Sequence, residues 1–231
     1  MTETIGPMKE TPEQITVNTY NWGPCLIKVK ARDTLIQQLR EEAKKSKIDY
    51  RKNLAGIIGK EKGYTAESRN RLVPEMSKYL GAYDQMYQRY TNKPYETKPK
   101  YFLSALWINY QKQNEFNPPH DHDGALSFVV YLDVPEKLKQ ENAEYIGKSC
   151  GPGGIQFMYG EGNRQSITFM SHFPEVGDMF IFPAWLKHSV APFQSKCTRI
   201  SVSGNIHDSA ALNTIPNDVT LSSGVDKDEK K

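Results

Sequence analysis

Within NPPHDHDGALSFVVYLDVP, residues 117–135, two histidines and two aspartates fill four consecutive positions, His120, Asp121, His122 and Asp123, before the chain turns apolar. Imidazoles and carboxylates ligate transition metals, so the cluster is a candidate metal site. In extended backbone, side chains two apart share a face. His120 and His122 then reach one point while Asp121 and Asp123 face away. A third imidazole, His188, stands in FPAWLKHSVAPF after a turn containing Pro183, and a barrel can bring a ligand from a distant strand to the first two. Imidazole suits iron, copper, nickel or zinc, so ligand type alone leaves the metal open. Further along, Arg199 and Ser201 share one face of TRISVSGNIH. A guanidinium and a hydroxyl turned into a barrel beside a metal require an anionic partner, because an unpaired buried arginine is very costly. A carboxylate accepting from both is the natural one.

These side chains need a rigid frame, and the chain from residue 100 onward has the texture of one. YFLSALWINYQK, ALSFVVYLDV, GGIQFMYG, SITFMSHF, GDMFIFPAW, HSVAPF and TRISVSGNIH are β-type runs separated by turn chemistry; seven at this spacing predict a sandwich or barrel. Alternation puts Trp107 and Asn109 on one face, Ser127, Val129 and Tyr131 on another, and Asn205 on the face of Arg199 and Ser201. Asn109, Tyr131 and Asn205 are therefore polar pocket candidates. His172 and His207 have no such supporting neighbours. Between the second and third runs, PEKLKQENAEYIGKSCGPGG reads as a short helix starting near Pro135, followed by a glycine-rich return, an insertion at one edge.

The first hundred residues read differently. ITVNTYNWGPCLIKVKA predicts an early strand or hairpin, and RDTLIQQLREEAKKSK a helix with Asp33 as N-cap. LAGIIGKEKGYTAESRN reads as a charged, glycine-rich connection. Leu72, Met76, Tyr79, Leu80, Tyr83, Met86, Tyr87 and Tyr90 then recur at three- and four-residue steps, one apolar face of a long helix whose tyrosines are core packing. The fold class is thus α+β with a mainly β core. Residues 1–208 form one domain, 1–99 its strand and supporting helices and 100–208 its β core; the polar segment 209–231 is expected to be disordered.

Composition narrows the function classes. Thirty basic against 27 acidic residues leave a net charge of +3 in 231 residues, and no basic stretch is interleaved with aromatics, so there is no nucleic-acid signature. Cys25, Cys150 and Cys197 are few, odd in number and far apart, which suggests neither a disulfide framework nor a metal knuckle. The polar N-terminus lacks an apolar targeting core, and no run of about 18 apolar residues occurs. The expectation is a soluble cytoplasmic protein.

The histidine cluster ahead of a strand, GDMFIFPAWLKHSV, and the Arg-x-Ser pair resemble the iron(II)- and 2-oxoglutarate-dependent oxygenases, over roughly residues 100–208. The distal half looks particularly like small oxygenases of bacteria and phage. The resemblance implies a double-stranded β-helix of jelly-roll or cupin type, with iron(II), 2-oxoglutarate and dioxygen as metal and cosubstrates. It implies His188 as distal iron ligand, Arg199 binding the C5 carboxylate of 2-oxoglutarate, and Ser201 assisting. The expected reaction is hydroxylation of a C–H bond, preferably of a protein, peptide or amino acid, with 2-oxoglutarate decarboxylated to succinate. Most of the family carries His-x-Asp where this chain has His120-x-His122. Two ligand sets follow: His120, His122 and His188, or a set in which a bulge near Gly124 lets Asp123, or less readily Asp121, replace one histidine. Competing functions are a cupin-type three-histidine metal enzyme without 2-oxoglutarate and a non-catalytic metal-binding β-barrel module.

Overall fold

A computed structural model describes residues 23–95 and 99–208. The predicted segment 15–22 and the tail 209–231 lie outside them. The elements are β1 (Ile27–Lys30), α1 (Asp33–Lys45), β2 (Ile48–Asp49), β3 (Glu61–Gly63), α2 (Ala66–Thr91), β4 (Tyr101–Lys112), β5 (Asn117–His120) and β6 (Leu126–Asp133). After them come α3 (Glu136–Ala143), β7 (Ile155–Met158), β8 (Phe169–His172), β9 (Asp178–Pro183), β10 (Lys187–Val190) and β11 (Thr198–Asp208). They form a seven-stranded sheet in the order β1-β9-β6-β11-β4-β3-β2 and a four-stranded sheet in the order β5-β10-β7-β8. Every strand pairing is antiparallel. This is the double-stranded β-helix, an α+β fold with a mainly β core.

Two cores explain why β6 reads as an unbroken apolar run. Phe128, Val130 and Leu132 join the helices' Leu35, Leu39, Leu72, Met76 and Tyr83 on the outer face of the large sheet. Val129 and Tyr131 turn the other way, to Phe157, Phe180, Phe182 and Val190 between the sheets. A strand covered on both faces needs no polar alternation, and each large aliphatic residue buried here contributes roughly 1.5–3 kcal/mol.

Local chemistry sets the helix boundaries. At α1 the N-cap is Arg32, with no side-chain cap, and Asp33 is the first helical residue. Asp33 is therefore not the cap, and its carboxylate sits in the first turn, where the helix dipole favours negative charge. Thr65 caps α2 by accepting the Ser68 N–H at 3.1 Å. The apolar stripe of α2 is buried through Tyr83, whereas Met86 and Tyr90 are exposed. Tyr90 is drawn outward because its hydroxyl accepts from Gly23 N–H at 2.7 Å and donates to Gly23 C=O at 2.9 Å, which pins the approach to β1.

One strand, β3, lies where the sequence reads as connection, and β2 precedes that segment. β3 and β2 fall between α1 and α2, with β3 pairing along β4. Among the described residues, no helix is long and apolar enough to cross a membrane.

Candidate metal centre

Backbone pairing brings the histidines together. β5 reads NPPH. Its two prolines are tolerated because it is an edge strand bonded to β10 alone. The β5–β10 register sets His120 opposite His188. The strand ends at His120, short of the extended His-x-His pair expected from the sequence, because the chain turns at Gly124, whose φ is +111°. His122 is held instead by its N–H donating to Ala184 C=O at 3.0 Å. One ring nitrogen from each of His120, His122 and His188 lies within 4.8 Å of the other two. Ring centroids are 4.3 Å apart for His120 and His188, 4.9 Å for His120 and His122, and 5.1 Å for His122 and His188.

Two of the rings have a determined tautomer. Nδ1 of His120 lies 2.7 Å from Pro118 C=O, and Nδ1 of His188 lies 3.0 Å from Leu186 C=O. A carbonyl only accepts, so each Nδ1 carries a proton and Nε2 is the ring atom left for a metal. Burial, reinforced by His120, pushes the His122 pKa down to about 4 and that of His188 to about 3. At neutral pH both are uncharged donors to a cation. Phe182 and Trp107 pack against His188 and His122, with centroids 4.9 and 5.5 Å away. Asp121 and Asp123 are exposed, and neither is in the cluster.

A polar row crosses the large sheet beside the cluster. Ser201 is opposite Asn109 on β4 and Tyr131 on β6, and Asn109 is in turn opposite Glu61 on β3. Arg199, two residues before Ser201, is 3% exposed. Its Nη1 donates to Gly153 C=O at 2.5 Å, and its guanidinium lies 5.2 Å from the centre of the Tyr131 ring. Gly153 reaches it with φ +70°, and a Cβ there would stand 2.9 Å from Leu138. Among the described residues no carboxylate pairs with Arg199. Arg199 Nε, the Tyr131 hydroxyl and Asn109 Oδ1 are buried without a hydrogen-bond partner. Burial holds Tyr131 protonated, its pKa pushed up to about 12.

The histidines, Arg199, Ser201, Asn109 and Tyr131 line one narrow pocket. Asn205 does not line it. It keeps the face of Ser201, opposite Ala105 and Ser127, but lies farther along β11, where its Oδ1 accepts from Ser127 at 3.0 Å. His172 lies apart, 3.4 Å from Asp178, which also binds Lys28 and Lys30. The Asp of the GDMFIFPAW run thus ties β1 to β9. Leu54, Ala55, Gly56, Ile58 and Glu61 also line the pocket, although the sequence reads as connection there. Ile57 N–H donates to Phe116 C=O at 2.9 Å. At Gly56 a Cβ would fall 1.8 Å from Asn117 Oδ1, so a glycine permits the close approach. A three-residue strand between glycines leaves too short a pattern to read.

The site fits a metal and an anionic chelator on its own chemistry: three converging imidazoles, and a buried cation with an unused donor. Comparisons agree. Residues 105–205 match the family model described as "Putative 2OG-Fe(II) oxygenase". No curated protein matches the chain in sequence. Among solved structures, a 2OG-Fe(II) oxygenase family oxidoreductase from Burkholderia pseudomallei is similar at TM-score 0.50 and 10% identity, over 79% of this chain and 84% of that one. A Pseudomonas putida prolyl-4-hydroxylase matches at TM-score 0.46 and 15% identity, over 79% and 91%. HygX from Streptomyces hygroscopicus, with nickel, 2-oxoglutarate and hygromycin B bound, matches at 0.47 and 10%, over 79% and 82%. At 10% identity the likeness to the Burkholderia structure speaks to the fold alone.

Proposed function

We propose, for a chain whose residues 105–205 belong to the 2OG-Fe(II) oxygenases, that His120, His122 and His188 hold iron(II) and that Arg199, assisted by Ser201, binds the distal carboxylate of 2-oxoglutarate. The observation that carries this reading is the buried Arg199, which has an unpartnered Nε and no carboxylate of the described chain, in the same pocket as three converging imidazoles. A buried guanidinium left unpaired costs several kcal/mol, so the site calls for an anion. A three-histidine enzyme without a 2-oxoacid leaves that charge uncompensated.

When bound, iron(II) with 2-oxoglutarate and dioxygen supplies oxidative decarboxylation to succinate and carbon dioxide, coupled to oxidation of a substrate C–H bond. The residues do the rest. Pro118 and Leu186 carbonyls fix two imidazoles with Nε2 free, so the ligands need no reorganisation. Arg199 offers a directed donor to a carboxylate oxygen, and Tyr131, protonated, offers a second. Asn109 Nδ2 lies 3.4 Å from the hydroxyls of Ser201 and Ser203 and orders them. Ile155, Phe182 and Val190 are apolar walls of the pocket. Three neutral ligands also balance charge, since iron(II) with dianionic 2-oxoglutarate is neutral overall. The substrate proposed is a peptide or an amino acid, which the near-neutral chain has no electrostatic reason to exclude.

The test is anaerobic titration with iron(II) and 2-oxoglutarate, followed by admission of air. A weak visible charge-transfer band and succinate release are expected from the intact protein, and neither from Arg199→Ala. No band and no succinate from the intact protein overturn the reading.

A further inference from the structure

One carboxylate in the pocket has no assigned task. Glu61 is 3% exposed, and its Oε2 has no hydrogen-bond partner. It lines the same pocket as the histidines without joining their cluster. Beside it, Asn109 Oδ1 and Asn117 Oδ1 are also buried acceptors without partners, and both residues line the pocket. The pocket is therefore polarised. Around Arg199 and Tyr131 the unused groups are donors, whereas around Glu61 they are acceptors.

Among the described residues, no cation is paired with Glu61. Arg51, the base whose charge acts on it, is committed to Asp49, with Nε 2.9 Å from Oδ1. Glu115 adds a second negative charge nearby while holding the N–H groups of Gly59 and Lys112. Burial of a carboxylate with neither a cation nor a full set of donors is unfavourable, and it persists where a ligand supplies what is missing. Trp107, 4% exposed, lines the same pocket and stacks on Tyr50 at 5.7 Å. An indole ring is the aromatic surface that best accommodates a cation.

We infer that Glu61, with Asn109 and Asn117, is the specificity determinant for a cationic substrate group, a guanidinium or ammonium of a basic peptide or amino acid. A positively charged group with several N–H donors satisfies the carboxylate and the two amide oxygens together, which a neutral aliphatic side chain of equal length cannot do. The inference rests on the oxygenase reading only in calling the ligand a substrate. The cation site stands on its own residues.

The experiment is calorimetric titration, under anaerobic conditions, with N-acetylarginine amide, N-acetyllysine amide and the neutral N-acetylnorleucine amide. Each is run on the protein alone and on the protein with iron(II) and 2-oxoglutarate. At least one basic probe is expected to bind the wild type, tenfold or more tighter than the norleucine probe, and Glu61→Gln to lose at least tenfold of that affinity while binding 2-oxoglutarate as the wild type does. Norleucine amide binding as tightly as the basic probes, no basic probe binding a protein that takes up 2-oxoglutarate, or unchanged affinity in Glu61→Gln each overturn the proposal. The charged-against-neutral comparison is made on the wild type and does not depend on how the variant folds. Basic probes that bind a protein failing to bind 2-oxoglutarate support the cation site and count against the oxygenase reading instead.

Discussion

His122 and Asp123 are adjacent in sequence and opposite in circumstance: one ring is packed against Trp107 beside two other imidazoles, the other side chain is in solvent. Iron(II) affinity is therefore expected to fall by at least a hundredfold in His122→Ala and to change by less than threefold in Asp123→Ala, read by equilibrium competition with a chromogenic chelator. A strong loss in Asp123→Ala places the carboxylate in the ligand set. At Arg199 the fork matters as well as the charge, since one nitrogen is already given to Gly153 and another is unused. Lysine keeps the charge without the fork. Arg199→Lys is expected to raise the Kd for 2-oxoglutarate by about tenfold or more, roughly 1.4 kcal/mol, with iron(II) affinity unchanged.

Among the elements, the return after α3 carries the clearest local consequence. Gly153 adopts a left-handed φ of +70° beneath Leu138, which is fully buried, and its carbonyl holds Arg199. Gly153→Ala adds backbone strain and a contact with Leu138. It is expected to lower stability by about 1–3 kcal/mol, read by urea denaturation, and to weaken 2-oxoglutarate binding by displacing the carbonyl that orients the guanidinium. Glu141 fastens the same helix by accepting the N–H groups of Gln194 and Ser195, both at 2.8 Å. The insertion read from sequence as an edge feature thus braces the anion end of the pocket. The proline-rich β5 has an analogous part: an edge position lets it dispense with N–H donors while its register with β10 fixes His120.

For the whole molecule, Glu61 links stability to pH. Burial, helped by Glu115 and opposed by Arg51, pushes its pKa up from 4.5 to about 7. The folded state then binds a proton that the unfolded chain has released, so its contribution is fully present below pH 4.5 and is lost as pH rises towards 7. The loss amounts to up to about 3 kcal/mol. Glu61→Gln removes this dependence. The difference in unfolding free energy between variant and wild type is expected to move in the variant's favour from pH 4.5 to 7.5, measured by denaturant titration at each pH. A constant difference across that range shows that Glu61 ionises freely in the fold.

What the sequence determined by itself was inventory and periodicity. Seven β-type runs, the long apolar stripe of α2 and the glycine-rich return after α3 are local patterns, legible because alternation and helical spacing are imposed over a few residues at a time. The three imidazoles and the Arg-x-Ser pair were legible as chemistry for the same reason. Their meeting was decided only by the tertiary structure: the β5–β10 register sets His120 opposite His188, and a turn at Gly124, which strand alternation does not describe, aims His122. Distance along β11 left Asn205 outside the pocket, where its Oδ1 accepts from Ser127. Glu61 entered it from a three-residue strand whose role depends on pairing with β4, a partner distant in sequence. Such pairings are long-range, and the burial that makes a glutamate unusual exists only after the sheets have closed over it.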